Sequence, residues 1–224
     1  MGDAKAWQRP REDGSDTFAP GATGQAVNWP RHVDTGKARL LSSAVRRLEL
    51  DGIRWELQPD AEALLQKLVR DAGGVIKESP AKRITIHHLD GRSYYVKRYR
   101  NSAFALRPFK FFFKRSQAWH EWTLAQQLEA RQIPIVRHVA FGERWSWRGL
   151  EESILVTEGF DGRMLHEAVG IDPAAVLAFV KRMHERGILQ VDLHPGNILV
   201  KLDPLEIRLV DLHGTQVQIG RAHV

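Results

Sequence analysis

The spacing of apolar residues changes period several times along the chain, and each change marks an element. Residues 1 to about 36 hold no sustained period and are rich in Gly, Pro, Asp and Arg, which predicts a flexible tail. The stretch "RRLELDGIRWELQ" alternates on both sides of Asp51-Gly52, a hairpin signal. "DAEALLQKLVRDAGG" has helical spacing, with Asp60 as the expected N-cap and Gly73-Gly74 as the stop. Three strands are predicted next in "VIKES", "KRITIHHL" and "SYYVKRY"; the Asp90-Gly91 pair between the last two is the strongest hairpin signal in the chain. "SQAWHEWTLAQQLEARQI" predicts a helix capped by Ser116 and ended by Pro134. Two strands, "VRHVAFGERW" and "ESILVTEGF", precede a helix in "DPAAVLAFVKRMHERG", where Asp172 caps, Pro173 opens and Gly187 stops it. "NILVKL" and "IRLVDL" are predicted strands joined through Asp203-Pro204. No segment repeats.

A chain of 224 residues, 43% hydrophobic and 27% charged, has the composition of a soluble globular protein with room for one large or two small domains. It contains no cysteine, which excludes disulfides, thiolate metal sites and cysteine nucleophiles. No apolar run approaches the roughly 20 residues of a spanning helix, and the N-terminus lacks the apolar core of a signal peptide. The expected location is therefore cytoplasmic. A net charge of +6 points to an anionic partner.

Five residues stand in an order that carries chemistry. Lys97 lies in a predicted strand and Glu121 on the helix after it; Asp192 and Asn197 share the loop "VDLHPGN", and Asp211 ends the strand "LVD" before Gly214. Singly, each has a plain explanation: a solvated strand lysine, a surface glutamate, two turns. Together they are the groups that phosphoryl transfer needs. A lysine neutralises nucleotide phosphates and a helix glutamate fixes it; an Asp orients the acceptor hydroxyl, and an Asn and a second Asp hold magnesium. The His87-His88 pair, His166 and His184 have no metal-site spacing.

"VDLHPGNILV" followed by "LVDLHG" resembles the catalytic and metal-binding loops of the protein-kinase-like fold, and within it the lipopolysaccharide core kinases, which phosphorylate heptose or Kdo sugars. "YYVKRYRN", "AWHEWTLAQQL", "VAFGER" and "LVTEGFDG" are similar to that family too, so the likeness covers about residues 70 to 217. The resemblance implies an α+β, two-lobed fold that uses ATP and Mg2+. It implies that Lys97 contacts ATP phosphates, Glu121 pairs with Lys97, Asp192 is the catalytic base, and Asn197 and Asp211 ligate magnesium. Val156, Thr157, Glu158 and Gly159 would form the hinge that reads adenine through backbone groups. The sequence departs from the pattern at three places. Gln190 stands where a His is usual, His213 replaces the Phe of Asp-Phe-Gly, and "GGVIKESPAKR" is not a full G-x-G-x-x-G.

The domain organisation expected from this reading is a tail over 1–36, an N-terminal lobe over 37–158 and a partial C-terminal lobe over 159–218. Residues 219–224, "IGRAHV", match one reading frame of a common sequencing adapter and are read as a non-native end, with the helical lobe cut short. The stretch Lys97 to Arg115 carries seven basic and no acidic residues, interleaved with five phenylalanines. That pattern fits peripheral contact with an anionic membrane, such as the inner face of the bacterial inner membrane, or equally a helix start with a wet basic face. No nucleic-acid motif accompanies it, so no nucleic acid is expected. The acceptor is expected to be lipopolysaccharide core or another glycolipid. The alternatives are a kinase of this fold for another small molecule or for protein, and a non-catalytic kinase-like binding module.

Overall fold

A computed structural model describes residues 45–100, 115–147 and 149–218. The expected tail over 1–36, most of the basic aromatic stretch and the end over 219–224 lie outside the described residues.

Seven antiparallel strands form the main sheet. They are β1 (Arg46–Leu50), β2 (Ile53–Leu57), β3 (Gly74–Glu78), β4 (Lys82–Leu89), β5 (Arg92–Arg100), β6 (His138–Ser146) and β7 (Gly149–Glu158), in the order β1-β2-β6-β7-β5-β4-β3. Two of the turns follow directly from sequence. Leu50 pairs with Ile53 and Leu89 with Arg92, so each hairpin has two loop residues, and all four have positive φ: Asp51 54°, Gly52 71°, Asp90 51° and Gly91 73°. Asp-Gly tolerates that left-handed pair, whose twist matches the strands it joins.

The two faces of the sheet are covered by different helices. On one, Ile53, Trp55, Leu57, Tyr94, Val96, Ile154 and Val156 pack against Leu65 and Leu68 of α1 (Glu62–Arg70). On the other, Tyr99, Phe141 and Leu155 pack against Ala118 and Trp122 of α2 (Gln117–Ala130). The distal half of α2 joins a separate core. There Ala125 and Leu128 meet Phe179 and Met183 of α3 (Pro173–Glu185), together with Ile198, Val200, Leu209 and Leu212. That second core is closed by β10 (Ile198–Leu202) and β11 (Leu205–Leu209), with three short strands: β8 (Arg163–Met164), β9 (Ile188–Gln190) and β12 (Thr215–Val217). Helix α2 thus belongs to both lobes of an α+β fold. It holds Glu121 in its first half, next to Trp122 of the core under the sheet.

Ser116 accepts from the Trp119 N–H at 3.0 Å and Asp172 from the Ala174 N–H at 2.9 Å, both as expected of caps. Asp60 does not cap α1. The helix starts at Glu62 with Ala61 in the cap position and no side-chain cap bond. The two oxygens of Asp60 instead accept from Arg137 at 2.7 and 2.8 Å, and that guanidinium holds the carboxyl below its ordinary range. A charge-assisted bidentate pair outcompetes a single neutral N–H. The stop of α1 also comes early: Asp71 is already extended, and its carboxylate bonds His87 Nδ1 at 2.7 Å.

Pro134 does not end α2. Its helix closes four residues earlier by a Schellman arrangement: the Ile133 N–H donates to Leu128 O at 3.0 Å and the Gln132 N–H to Glu129 O at 2.8 Å. Gln132 sits at φ 54°, a position where Gly is the usual residue, and buried Ile133 covers Leu128. Gln132→Gly is expected to raise the unfolding free energy by up to about 1 kcal/mol by relieving that strain. A lower denaturant midpoint in the variant would show instead that the contact of Gln132 Oε1 with Arg186, at 3.4 Å, is worth more than the strain. Among the described residues no helix is long and apolar enough to cross a membrane.

Candidate active site

The alternation of β5 decides where Lys97 points. Val96, Arg98 and Arg100 face α1, where they help line a cavity of about 380 Å³. Lys97 and Tyr99 face α2 and the opening between the lobes. Lys97 Nζ donates to Glu121 Oε1 at 2.7 Å, with only 12% of the lysine side chain and 7% of the glutamate exposed. The Tyr99 hydroxyl donates to the other carboxylate oxygen at 3.3 Å. His138, buried at the start of β6, donates from Nδ1 to Val136 O at 2.9 Å and brings Nε2 to 3.8 Å from Glu121 Oε1. Burial by itself would raise the Glu121 pKa. His138 and the Lys97 ammonium more than reverse that and hold the carboxyl down at about 2. The same burial, with Glu121 and Asp211 nearby, pushes the Tyr99 phenol up, so it stays a donor.

The second half of the site is a loop frame. After β9 the chain passes Asp192 and makes a short 3-10 turn over Pro195–Asn197, in which His194 Nδ1 accepts from the Gly196 N–H at 3.1 Å. Asn197 is buried, and its Nδ2 donates to the backbone carbonyl of Asp192 at 2.9 Å. Its Oδ1 therefore faces away from that bond. The β10–β11 hairpin then returns the chain to the same place, where the Val210 N–H donates to Asn197 O at 2.9 Å. Asp211 follows at φ 56°, a conformation that Asp tolerates and bulkier residues avoid. Its Oδ1 accepts from the His213 N–H at 3.3 Å. Asp192 is exposed and Asp211 half-buried. The charge of Asp211 acts on Tyr99 and on Lys82, so Asp211 lies within electrostatic reach of the face that carries Lys97.

Gln190, at the position where the sequence pattern carries His, is buried and holds the two loops together. Its amide donates to Asp211 O at 3.3 Å and to His213 O at 3.1 Å, and its Oε1 accepts from the Thr215 hydroxyl. An amide thus supplies the backbone bonds of this frame, and the substitution leaves no gap in it. Gln190 stands out in the sequence only as a departure from a pattern, and Tyr99 and His138 do not stand out at all. Tyr99 is legible in principle, because it lies two residues from Lys97 and so shares its face.

Val156 and Thr157 are buried in β7, a strand paired on both sides, by β5 and β6. The N–H groups of Glu158 and Gly159 are already used, donating to Arg137 O at 2.9 Å and Ser93 O at 2.6 Å. A Cβ on Gly159 would lie 3.0 Å from Ser93 O, a tight contact that favours glycine there. The Glu158 carboxylate accepts from Arg92 at 2.9 Å and Arg137 at 3.3 Å. Of the four residues of this segment, none presents a free N–H at its C-terminal end.

Among the described residues no cluster of three or more His, Asp or Glu side chains is assembled for a metal ion. The donors that are present, an amide oxygen and a carboxylate, are hard oxygen ligands. They suit a cation that takes its remaining ligands from phosphate and water, as magnesium does.

No curated protein matches the sequence. The solved structure of WaaP in complex with acyl carrier protein superposes with a TM-score of 0.53 at 23% identity, covering 74% of this chain and 73% of that one. The family profile described as lipopolysaccharide kinase (Kdo/WaaP) matches residues 66–223, well over half of the chain and spanning every one of the site residues named above. The chain belongs to the lipopolysaccharide kinase (Kdo/WaaP) family, and it is a kinase, a phosphotransferase.

Proposed function

We propose that the protein transfers the terminal phosphoryl group of ATP to a sugar hydroxyl of lipopolysaccharide core, on heptose or Kdo. The observation that carries this is the buried Lys97–Glu121 ion pair at 2.7 Å, together with the loop frame in which Asn197 is tied to the Asp192 carbonyl at 2.9 Å. Lys97 neutralises the nucleotide phosphates, and Glu121 keeps its ammonium from swinging away. Asp192 accepts the proton of the acceptor hydroxyl as that oxygen bonds to the γ-phosphorus. The bond to the bridging oxygen breaks and ADP leaves. Asn197 Oδ1 and the free oxygen of Asp211 would hold magnesium, which neutralises charge on the phosphate oxygens when bound.

Adenine is read by backbone groups in the Val156 to Gly159 segment. With the N–H groups of Glu158 and Gly159 engaged and Val156 and Thr157 in a strand paired on both sides, the carbonyls of Glu158 and Gly159 are the groups to do so. The basic residues that flank Lys97, namely Arg98, Arg100, Arg107, Lys110, Lys114 and Arg115, contact an anionic glycolipid surface, while the Lys97 charge is kept for the nucleotide. The test is magnesium-dependent ATP turnover by purified protein, with core oligosaccharides ending in heptose or in Kdo as acceptors. The expected result is phosphate transfer to one of the two. Transfer to neither, alongside ATP turnover with a protein or another small molecule, would overturn the acceptor assignment.

A further inference from the structure

We propose that Lys82 is a second phosphate-binding lysine, which holds the terminal phosphates of the nucleotide from the strand above the cleft. The inference rests on the nucleotide reading just given. It starts from the turn between β3 and β4, where a kinase of this fold would present backbone N–H groups to phosphate. Here the turn "ESPAK" has few to present. The Ser79 N–H donates to Lys82 O at 2.8 Å, and the Lys82 N–H bonds back to Ser79 Oγ at 3.1 Å. Pro80 has no N–H. A turn closed on itself in this way cannot wrap an anion, so the positive charge must come from a side chain.

The register supplies one. Lys82 pairs with Tyr99 and Ile84 with Lys97, so Lys82 projects from the sheet on the face of Tyr99 and Lys97. It is the diagonal neighbour of Lys97, about 7–8 Å away across the two strands. The alternate residues Arg83, Thr85 and His87 line the cavity on the opposite face. Lys82 Nζ lies over the Tyr99 ring, 5.2 Å from its centroid. It has no carboxylate within salt-bridge distance among the described residues. The two carboxylates whose charge acts on it, Asp211 and Glu121, form no ion pair with it, and Glu121 already serves Lys97 with one oxygen and Tyr99 with the other.

The result is a half-buried ammonium beside a second ammonium. Burial and the Lys97 charge both push the Lys82 pKa down, and Lys77 adds to this; Asp211 and Glu121 offset only part of it. Such a pair is costly when the site is empty and is relieved by a polyanion lying between the two lysines. A triphosphate has that charge and that length. Lys97 and Lys82 would then hold different phosphates of one nucleotide, with Lys82 replacing by side-chain charge what the turn cannot give by backbone.

The experiment is titration of ATP, ADP and AMP, with magnesium, into the full chain and into Lys82→Met and Lys82→Arg. Met keeps the aliphatic stem over Tyr99 and removes only the charge. Lys82→Met is expected to weaken ATP by about tenfold, the scale of one charge-assisted contact, and AMP not at all; Lys82→Arg is expected to stay near wild type. Equal ATP affinity in wild type and Lys82→Met would overturn the proposal. So would an equal loss for AMP, which would mark a packing effect. Lys82→Gln gives the same comparison if the Met variant melts early. A wild-type protein that binds no ATP would overturn the nucleotide reading itself, and this assignment with it.

Discussion

Asp192→Asn is expected to lower phosphoryl transfer by about two to four orders of magnitude, the contribution typical of a positioned general base, while ATP affinity and melting temperature stay near wild type. The separation of these effects follows from the loop. The Asp192 side chain is exposed and makes no hydrogen bond among the described residues. The structural contact at this position is its backbone carbonyl, which accepts from Asn197 at 2.9 Å and is unchanged in the variant. An amide has the shape of the carboxylate and cannot take the hydroxyl proton. Steady-state turnover together with a nucleotide titration checks this. Turnover within tenfold of wild type would move the base to another residue.

Glu121→Ala is expected to cost about 3–5 kcal/mol of stability as well as activity, because it strands the Lys97 ammonium in a site that is almost closed to water. It also removes the acceptor for the Tyr99 hydroxyl. The pH dependence has a definite sign. The folded-state pKa of Glu121 is about 2, below its ordinary value of 4.5. Its contribution to stability is therefore fully present above about pH 4.5 and is lost as pH falls through about 2. Denaturant midpoints recorded from pH 6 down to pH 2 should show that loss in the wild type. They should show a flatter profile in Glu121→Gln, which has nothing to titrate there. Parallel profiles would mean that the pair contributes nothing in acid.

Much of this arrangement is legible in the amino-acid sequence wherever one local rule decides. Asp51-Gly52 and Asp90-Gly91 fix two hairpins because few other dipeptides accept two positive φ values in succession. Asp172-Pro173 fixes the start of α3 for a similar reason. The pairing of Lys97 with Glu121 follows from strand-then-helix order, since a helix that returns across a sheet lays its inner face on alternate strand residues. What is not legible depends on partners remote in sequence. Asp60 reads as a cap until Arg137, 77 residues away, takes it. Gln132 ends α2 in a conformation that gives no signal in its own side chain. The two- and three-residue strands β8, β9 and β12 are too short to show a period. His138 and Gln190 have their roles only because the fold brings Glu121 and Asp211 to them. The engaged N–H groups of Glu158 and Gly159 likewise follow from the sheet pairing and not from residue type.

Gln190 has a mechanical consequence. Because its one amide spans Asp211, His213 and Thr215 while its backbone leads within two residues to Asp192, the residues proposed to take the proton and to seat the cation are mounted on a single bracket. The interval between Asp192 and Asp211 is thus set by hydrogen bonds within one frame, like the fixed jaw of a vice.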